Sequence, residues 1–250
     1  MKITSLEPYT DERGNKIEVE GEFSCHVAIF MRGTNNRLTV KAGAKLTALT
    51  GAFDGDGGVL EIGANPATGP ANWNFRVGEQ SLITIGDNVT TTNMCVLSAV
   101  EGTRIEIGDG CMIAANCDVR ADDGHAIYDV QTGVRINRSA DIIVCNNVWL
   151  GFGTTVLSGV TIGAGTVVGA KSVVTRSLPN NVIAVGSPAK VVRRNIAWER
   201  PHLSMHQPPF RPDASVIEKR GIWEMTREEP VPDPKPVSRW KRAWAALTTP

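Results

Sequence analysis

Aliphatic residues recur at every sixth position in the middle of the chain. The run comprises Val144, Leu150, Val156, Ile162, Val168 and Val174. Small or β-branched residues keep the same phase four positions later, at Val148, Thr154, Val160, Thr166 and Ser172. Neither the 3.6-residue period of an α-helix nor the two-residue period of an ordinary strand explains this pattern. It predicts an all-β fold, a parallel β-helix in which three hexads close a triangular coil of about 18 residues.

The same phase continues upstream with interruptions. Aliphatic or β-branched residues mark two further coils, at Ile85, Thr91 and Leu97 and at Ile107, Ile113 and Val119. Weaker signals between residues 38 and 62 indicate earlier, less regular coils. We therefore predict a cap over residues 1–36 and a β-helix over 37–186. Within the β-helix, the hexad rule lapses over residues 121–141, which predicts a long polar loop leaving a rigid scaffold, where functional residues concentrate.

The C-terminal extension, residues 187–250, differs in composition. Nine of the fourteen prolines and four of the six tryptophans lie beyond residue 197. Proline disfavours regular structure while tryptophan favours packing, so we predict an ordered strap with aromatic anchors. A short helix over 239–247 would place Trp240, Trp244 and Leu247 on one face. This face suits docking on the chain's own trimer, which we favour because it is barely two turns long, or peripheral contact with a membrane.

Composition narrows the classes of function. The 26 basic and 26 acidic residues balance, so charge indicates no nucleic-acid partner. The chain shows neither a signal peptide pattern nor an apolar run of 18 residues, from which we expect a cytoplasmic protein without a transmembrane segment. The five cysteines include no CxxC pair. Cys95, Cys111 and Cys117 occupy the small-residue phase of their hexads and are predicted to be small buried hydrophobes.

Three segments carry a specific family resemblance. They are residues 122–129 (DDGHAIYD), 132–137 (TGVRIN) and 148–151 (VWLG), and residues 186–193 (GSPAKVVR) look like that family's exit from the last coil. Together they resemble the left-handed β-helix acyltransferases, in the branch that O-acetylates surface polysaccharides and is akin to the galactoside and maltose acetyltransferases. The resemblance covers about residues 80–196. The left hand of the helix is implied by it and not by the period.

The resemblance implies a homotrimer that binds acetyl-CoA as co-substrate in the groove between neighbouring subunits and takes a carbohydrate acceptor. His125 matches the catalytic histidine and Asn93 matches an asparagine near the acceptor. The residues that match the acetyl-CoA side are Trp149, which flanks the active site, Gly151, Ala170, Thr175, Arg176, Lys190 and Arg193. Phe152 departs from the family pattern, because a small residue is usual at that position.

The expected chemistry is direct transfer without an acyl-enzyme. A sugar hydroxyl is a weak nucleophile near neutral pH, and histidine, with an ordinary pKa of about 6.5, is a suitable base. A backbone N–H or a side-chain amide such as that of Asn93 would stabilise the oxyanion. An acidic partner would orient the imidazole of His125, and the sequence offers Asp118, Asp122, Asp123 and Asp129. We take Asp123 as the catalytic candidate, with the other three left open.

Other functions on this scaffold remain as alternatives. N-acetylation of an amino sugar, or acetylation of a small molecule such as serine, uses the same base. A trimeric β-helix scaffold without catalysis would bind no CoA and would tolerate loss of His125. A zinc enzyme of the carbonic anhydrase type needs three converging histidines. Because only His125 lies in the repeat region, we expect no metal site.

Overall fold

The computed structural model describes residues 2–203, 213–215 and 217–228, which form a β-structure of short strands. The strands, in chain order, are β1 Lys2–Ile3, β2 Tyr9–Thr10, β3 Lys16–Val19, β4 His26–Met31, β5 Arg37–Val40, β6 Leu46–Phe53, β7 Val59–Ile62, β8 Ala71–Val77, β9 Leu82–Ile85, β10 Thr90–Thr91, β11 Cys95–Ala99, β12 Arg104–Ile107, β13 Met112–Ile113, β14 Cys117–Arg120, β15 Ile142–Val144, β16 Trp149–Leu150, β17 Thr155–Val156, β18 Thr161–Ile162, β19 Val167–Val168, β20 Val173–Val174, β21 Ile183–Val185 and β22 Lys190–Arg193.

The strands stack into three sheets that form the faces of a prism. Sheet A has the order β1-β4-β6-β8-β11-β14-β17-β20, sheet B the order β18-β15-β12-β9-β7-β5-β3-β2, and sheet C the order β10-β13-β16-β19-β21-β22. In the last coils Trp149 pairs with Val167 and Thr155 with Val173, always 18 residues on and in parallel. The prediction of a left-handed parallel β-helix with 18-residue coils is confirmed.

The inside of the prism is a ladder of the predicted aliphatic residues. All six members of the hexad series from Val144 to Val174 are at most 1% exposed. The residues of the second phase are also buried, including the hydroxyl-bearing Thr154, Thr166 and Ser172. Cys95, Cys111 and Cys117 lie within the same core, as predicted. Inward positions therefore need apolar or small side chains, and this requirement produces the six-residue period.

The β-helix begins earlier than the sequence predicts. β3 pairs in parallel with β5, and β4 pairs in parallel with β6, so the coils start at Lys16 and the predicted boundary at residue 37 is wrong. The hexad phase is lost here because the coils are longer: Lys16 pairs with Arg37, and Arg37 pairs with Val59. Longer strands enclose a wider core that holds Phe53, Trp73 and Phe75. The cap consists of β1 and β2, which pair antiparallel with β4 and β3.

At the other end, β22 turns back and pairs antiparallel with β21, which ends the parallel stacking. The described part of the extension then runs along sheet C as a strap (residues 194–203 and 217–228). The predicted helix at 239–247 lies outside the described residues. Within the described ranges, no helix has the length and hydropathy required to cross a bilayer.

Candidate active site

The loop over residues 121–141 leaves the prism after β14 and returns at β15. Its two arms pair antiparallel at Tyr128 and Arg135, and the amide of Ile136 donates to the carbonyl of Ile127 at 2.9 Å. The Asp129 carboxylate closes the tip by accepting hydrogen bonds from the amides of Gln131 and Thr132 and from the Thr132 hydroxyl. These bonds, led by the Thr132 amide, lower the pKa of Asp129. The loop is therefore a short hairpin held together by its own polar contacts.

His125 is exposed at the base of this hairpin, and Asn137 holds its backbone in place. The Asn137 Nδ2 atom donates to the His125 carbonyl at 2.8 Å and to Asp123 Oδ2 at 2.9 Å. Its Oδ1 atom accepts from the Ile127 amide at 2.7 Å. One amide side chain thus bridges three points around the predicted base. Sequence reasoning quoted Asn137 within a motif and assigned it no role.

A buried carboxylate anchors the start of the loop. The side chain of Asp122 is only 2% exposed, and Ser98 Oγ on β11 donates to its Oδ2 at 2.6 Å. Its Oδ1 accepts from the Gly124 amide at 2.9 Å and faces Arg76 at 3.4 Å. Breaking the contacts of a buried carboxylate costs free energy, because the charge is then left without partners. These contacts therefore hold the backbone before His125 against sheet A.

A second anchor lies where the loop returns. Arg135 forms a two-bond pair with Glu101, at 2.5 and 3.0 Å, and Ser139 donates to the same carboxylate at 2.6 Å. The Arg135 hydrogen bonds, followed by that of Ser139, lower the pKa of Glu101 to about 2. Glu101 lies in the corner after β11, so both anchors attach the loop to one coil.

The structure does not bring Asp123 to the imidazole of His125. The Asp123 carboxylate bonds to Asn137, while Asp122 bonds to Ser98 and Asp129 to the hairpin tip. Asp118 pairs with Arg120 at 2.7 Å. Within the described part of the chain, none of these four carboxylates makes a hydrogen bond or ion pair with the ring. The contacts of Asp122 and Asp123 instead fix the loop backbone.

Asn93 lies before the start of strand β11, separated from it by Met94. Its Oδ1 accepts from the Met94 amide at 2.7 Å and from Asn72 Nδ2 at 3.4 Å. Ser98, near the other end of β11, holds the loop base through Asp122. Five extended residues reach up to about 16 Å. In one chain, the predicted oxyanion residue therefore lies at one end of β11, and the loop that carries the predicted base is attached at the other.

The predicted cofactor residues occupy the last coils. Gly151 and Ala170 are adjacent, since a Cβ atom at Gly151 would lie 2.7 Å from the Ala170 amide nitrogen. Trp149 precedes them on β16 with 37% of its surface exposed. Thr175 and Arg176 follow β20, whereas Lys190 and Arg193 lie on β22, and all four are exposed. Gly151 is therefore packed against the next coil, and the four polar residues are exposed at the end of the prism.

Two aromatic contacts lie on these last coils. Phe152 is 44% exposed, and the ammonium of Lys171 lies 4.6 Å from its ring centre. Trp198 from the strap packs on Trp149, with 5.8 Å between ring centres and 50° between ring planes. A tryptophan-rich strap was predicted, but no periodic signal could assign Trp198 to Trp149.

Stacked hexapeptide coils with a histidine-bearing loop define the class of this protein as a hexapeptide-repeat β-helix. Residues 141–176 match the family model described as bacterial transferase hexapeptide (six repeats). The repeats of residues 141–176 are thus similar to those of this hexapeptide-repeat family, and the predicted resemblance is confirmed.

Curated relatives and a solved structure extend the similarity. The chain is 35% identical over 124 residues to polysialic acid O-acetyltransferase of Escherichia coli O1:K1 / APEC. The match covers 50% of this chain and 38% of the relative. It is 37% identical over 97 residues to galactoside O-acetyltransferase of Escherichia coli K12, covering 39% of this chain and 47% of the relative. The chain thus spans less than half the length of these two relatives.

The structural comparison covers more of the chain. The crystal structure of the polySia specific acetyltransferase NeuO superposes with a TM-score of 0.62 at 27% identity. The match covers 79% of this chain and 96% of that one. Most of this chain therefore shares its fold with a solved acetyltransferase.

Proposed function

We propose that the protein is an acetyl-CoA-dependent O-acetyltransferase that modifies a hydroxyl of a bacterial surface polysaccharide or of its sugar building block. The observation that carries the proposal is the exposed His125 on a loop that Asp122 and Glu101 attach to the prism, while Asn137 holds the loop backbone around His125. A solvated loop histidine does not require these contacts. The sugar-modifying relatives named above support the choice of a hydroxyl acceptor.

The proposed reaction is a single displacement with acetyl-CoA as substrate. The imidazole of His125 takes the proton of the acceptor hydroxyl as its oxygen attacks the thioester carbonyl carbon. Asn93 donates a hydrogen bond to the oxyanion of the tetrahedral intermediate. The carbon–sulfur bond then breaks, and the thiolate takes the proton from the imidazolium. The products are the acetyl ester and CoA thiol, and His125 returns to its neutral form.

The residues of the last coils fit the proposed co-substrate. Gly151 is required where the backbone of the next coil approaches too closely for a Cβ atom. Arg176, Lys190 and Arg193 are exposed cations that suit phosphate groups, because charge-assisted hydrogen bonds to phosphate are strong. Trp149 provides an aromatic surface on sheet C, which also carries Lys190 and Arg193. The described residues contain no cluster of His, Cys, Asp and Glu that could hold a metal ion, and the proposed mechanism uses none.

We also propose a homotrimer whose neighbouring chains complete each active site. Asn93 and the base of the His125 loop lie at opposite ends of strand β11 in one chain. The hairpin also exposes five large apolar side chains, between 51% and 98%: Ile127, Tyr128, Val130, Val134 and Ile136. Exposed apolar surface of this kind marks contact sites between proteins. Docking of the hairpin on a neighbour would cover it and carry His125 to a second chain.

Release of CoA thiol tests the activity. Acetyl-CoA is offered with surface glycans, lipid-linked repeats, amino-sugar nucleotides and serine, and wild type is compared with His125→Ala. We expect release with a hydroxyl-bearing glycan and a loss of at least about a hundredfold in the variant. His26→Ala, which removes an exposed histidine from β4, is the matched control and should retain activity.

The other outcomes identify other functions. Release only with an amine acceptor would replace O-acetylation by N-acetylation, and release only with serine would indicate a small-molecule enzyme. A trimer that neither binds acetyl-CoA nor releases thiol would support a scaffold role. Full activity in His125→Ala would exclude the proposed base.

A further inference from the structure

The first part of the strap runs back along the prism, from the last coil towards earlier coils. The amide of Ile196 donates to the Asn181 carbonyl at 3.0 Å, and Trp198 Nε1 donates to the Asn147 carbonyl at 2.7 Å. Arg200 reaches the carbonyl of Gly110 at 2.8 Å. As the strap advances, its partners therefore come from successively earlier coils. The strap follows the corners between sheets B and C, where the backbone carbonyls are accessible.

Arg200 sets the position of the strap along the prism. Its guanidinium donates to the Thr90 hydroxyl at 2.7 Å and to three backbone carbonyls, those of Asn88, Gly110 and Cys111, at 2.8 to 3.2 Å. Burial lowers the pKa of this half-buried side chain. The planar fork of a guanidinium satisfies several acceptors only in one orientation, so these bonds select a single register.

A second pass of the strap secures the first. Thr226 exchanges hydrogen bonds with Asn195, each at 2.8 Å, and Thr226 Oγ1 donates to the Asn181 carbonyl at 3.0 Å. Glu199 accepts from Arg220 at 2.7 Å and from Trp223 Nε1 at 2.9 Å. Residues 195–200 are thus fixed on both sides, by the prism and by residues 217–228.

This register places Trp198 against Trp149. Trp198 is 9% exposed, and its ring centre lies 5.8 Å from that of Trp149, which is 37% exposed. The strand neighbours of Trp149 on sheet C are Met112 and Val167, neither of which is aromatic. Trp198 supplies the ring contact that these neighbours lack.

We propose that Trp198, held in register by Arg200, is a positioning residue that orients the indole of Trp149 in the acetyl-CoA site. The proposal rests on the proposed function, in which Trp149 contacts that substrate. It assigns the C-terminal strap a role in the site itself. The strap lies beyond the last hexapeptide repeat, so the acetyl-CoA site of this chain depends on residues outside the repeat domain.

The test compares Trp198→Leu with Trp198→Phe in the full chain. Loss of the ring in the leucine variant should raise the KM and the calorimetric Kd for acetyl-CoA at least about tenfold, with kcat within about twofold, because uniform binding is lost. The phenylalanine variant retains a ring and should recover most of the affinity. Arg200→Lys retains the charge without the fork and should behave as the leucine variant does.

A spectroscopic signature separates positioning from general stability. Two neighbouring indoles couple in circular dichroism, and the couplet should disappear equally in Trp149→Phe and Trp198→Phe. Phe30→Leu is the matched control, since Phe30 is an exposed ring on β4 that does not contact the strap, and it should retain both the couplet and the KM.

An unchanged KM in Trp198→Leu would overturn the proposal, as would a fall in kcat and melting temperature that phenylalanine does not restore. A wild-type protein that does not bind acetyl-CoA would instead overturn the proposed function, and that result is visible before any variant is compared.

Discussion

The hydroxyl of Ser98 donates a 2.6 Å hydrogen bond to the buried carboxylate of Asp122, which joins β11 to the base of the loop that carries His125. Ser98→Ala removes this donor and leaves the carboxylate with fewer partners, at a cost of about 1–3 kcal/mol in unfolding free energy. Because Asp122 also holds the Gly124 amide, we expect kcat to fall at least about tenfold through misplacement of His125.

Thermal unfolding and steady-state kinetics of Ser98→Ala check this prediction. Ser24→Ala is the matched control, because Ser24 is exposed before β4 and should tolerate the change. A variant with unaltered kcat would show that the Ser98 contact does not contribute to placing the base.

The separation of Asn93 and the His125 loop at opposite ends of β11 predicts that each site draws on two chains. Asn93→Ala and His125→Ala should each be inactive alone. If the two residues act across an interface, each mixed trimer of co-expressed variants with different tags should regain one of its sites, which is about a third of the wild-type activity. Thiol release by doubly purified mixed trimers measures this, and no recovery at all would indicate that both residues act within one chain.

The lowered pKa of Glu101 predicts how the ion pair between Glu101 and Arg135, which anchors the loop, responds to acid. Its pKa in the folded protein is about 2, and the ordinary value is near 4.3. A lowered folded-state pKa contributes stability that is complete above the unfolded value and is lost as pH falls towards the folded value. The stability that this ion pair contributes should therefore be constant from pH 5 upwards and fall between about pH 4 and 2.

Glu101→Gln provides the comparison for this anchor. At neutral pH the variant should undergo faster amide exchange in residues 121–141 than wild type, since Arg135 loses its charged partner. The difference should shrink as the pH approaches 2, where the wild-type carboxyl is also neutral. A difference that persists unchanged at low pH would contradict the prediction.

Gly151 should not accept a side chain. An added Cβ would lie 2.7 Å from the amide nitrogen of Ala170 and 2.8 Å from the carbonyl oxygen of Val168, and both are backbone atoms of the next coil. We expect Gly151→Ala to destabilise the fold by about 1–3 kcal/mol and to raise the KM for acetyl-CoA. Denaturant unfolding and kinetics test this, with Gly69→Ala as the control, because nothing lies within 4 Å of its added Cβ. Equal stability of the two variants would contradict the close approach.

The cysteines should differ sharply in reactivity. Burial raises the pKa of the Cys95 and Cys117 thiols, and Cys111 and Cys145 are also buried. Cys25 is partly exposed, although burial raises the pKa of its thiol as well. A thiol reagent should therefore modify one cysteine in the native protein, with a rate that rises as pH approaches 9 and above. Cys25→Ser should abolish this phase, and rapid modification of a second thiol would show that the prism opens.

The regular part of the fold could be predicted because each inward position faces the same narrow interior. Val144, Leu150 and Val156 repeat the same environment in successive hexads, so a local pattern determines a global structure. The N-terminal coils could not be assigned in this way. Their longer strands hold Phe53 and Trp73 in a wider core, and coils of 21 or more residues break the six-residue phase.

By itself, the sequence determined the β-helix, its hydrophobic ladder, the loop that carries His125 and the small residues of the last coils, because all of these follow from periodicity and short motifs. Only the tertiary structure decided which groups meet. It assigned Asp122 to Ser98, Asn137 to the backbone of His125, and Trp198 to Trp149. Such contacts join segments that lie far apart in the chain or within an irregular loop, where no repeat records the register. Side-chain geometry and hydrogen-bond capacity select them only once the prism has formed.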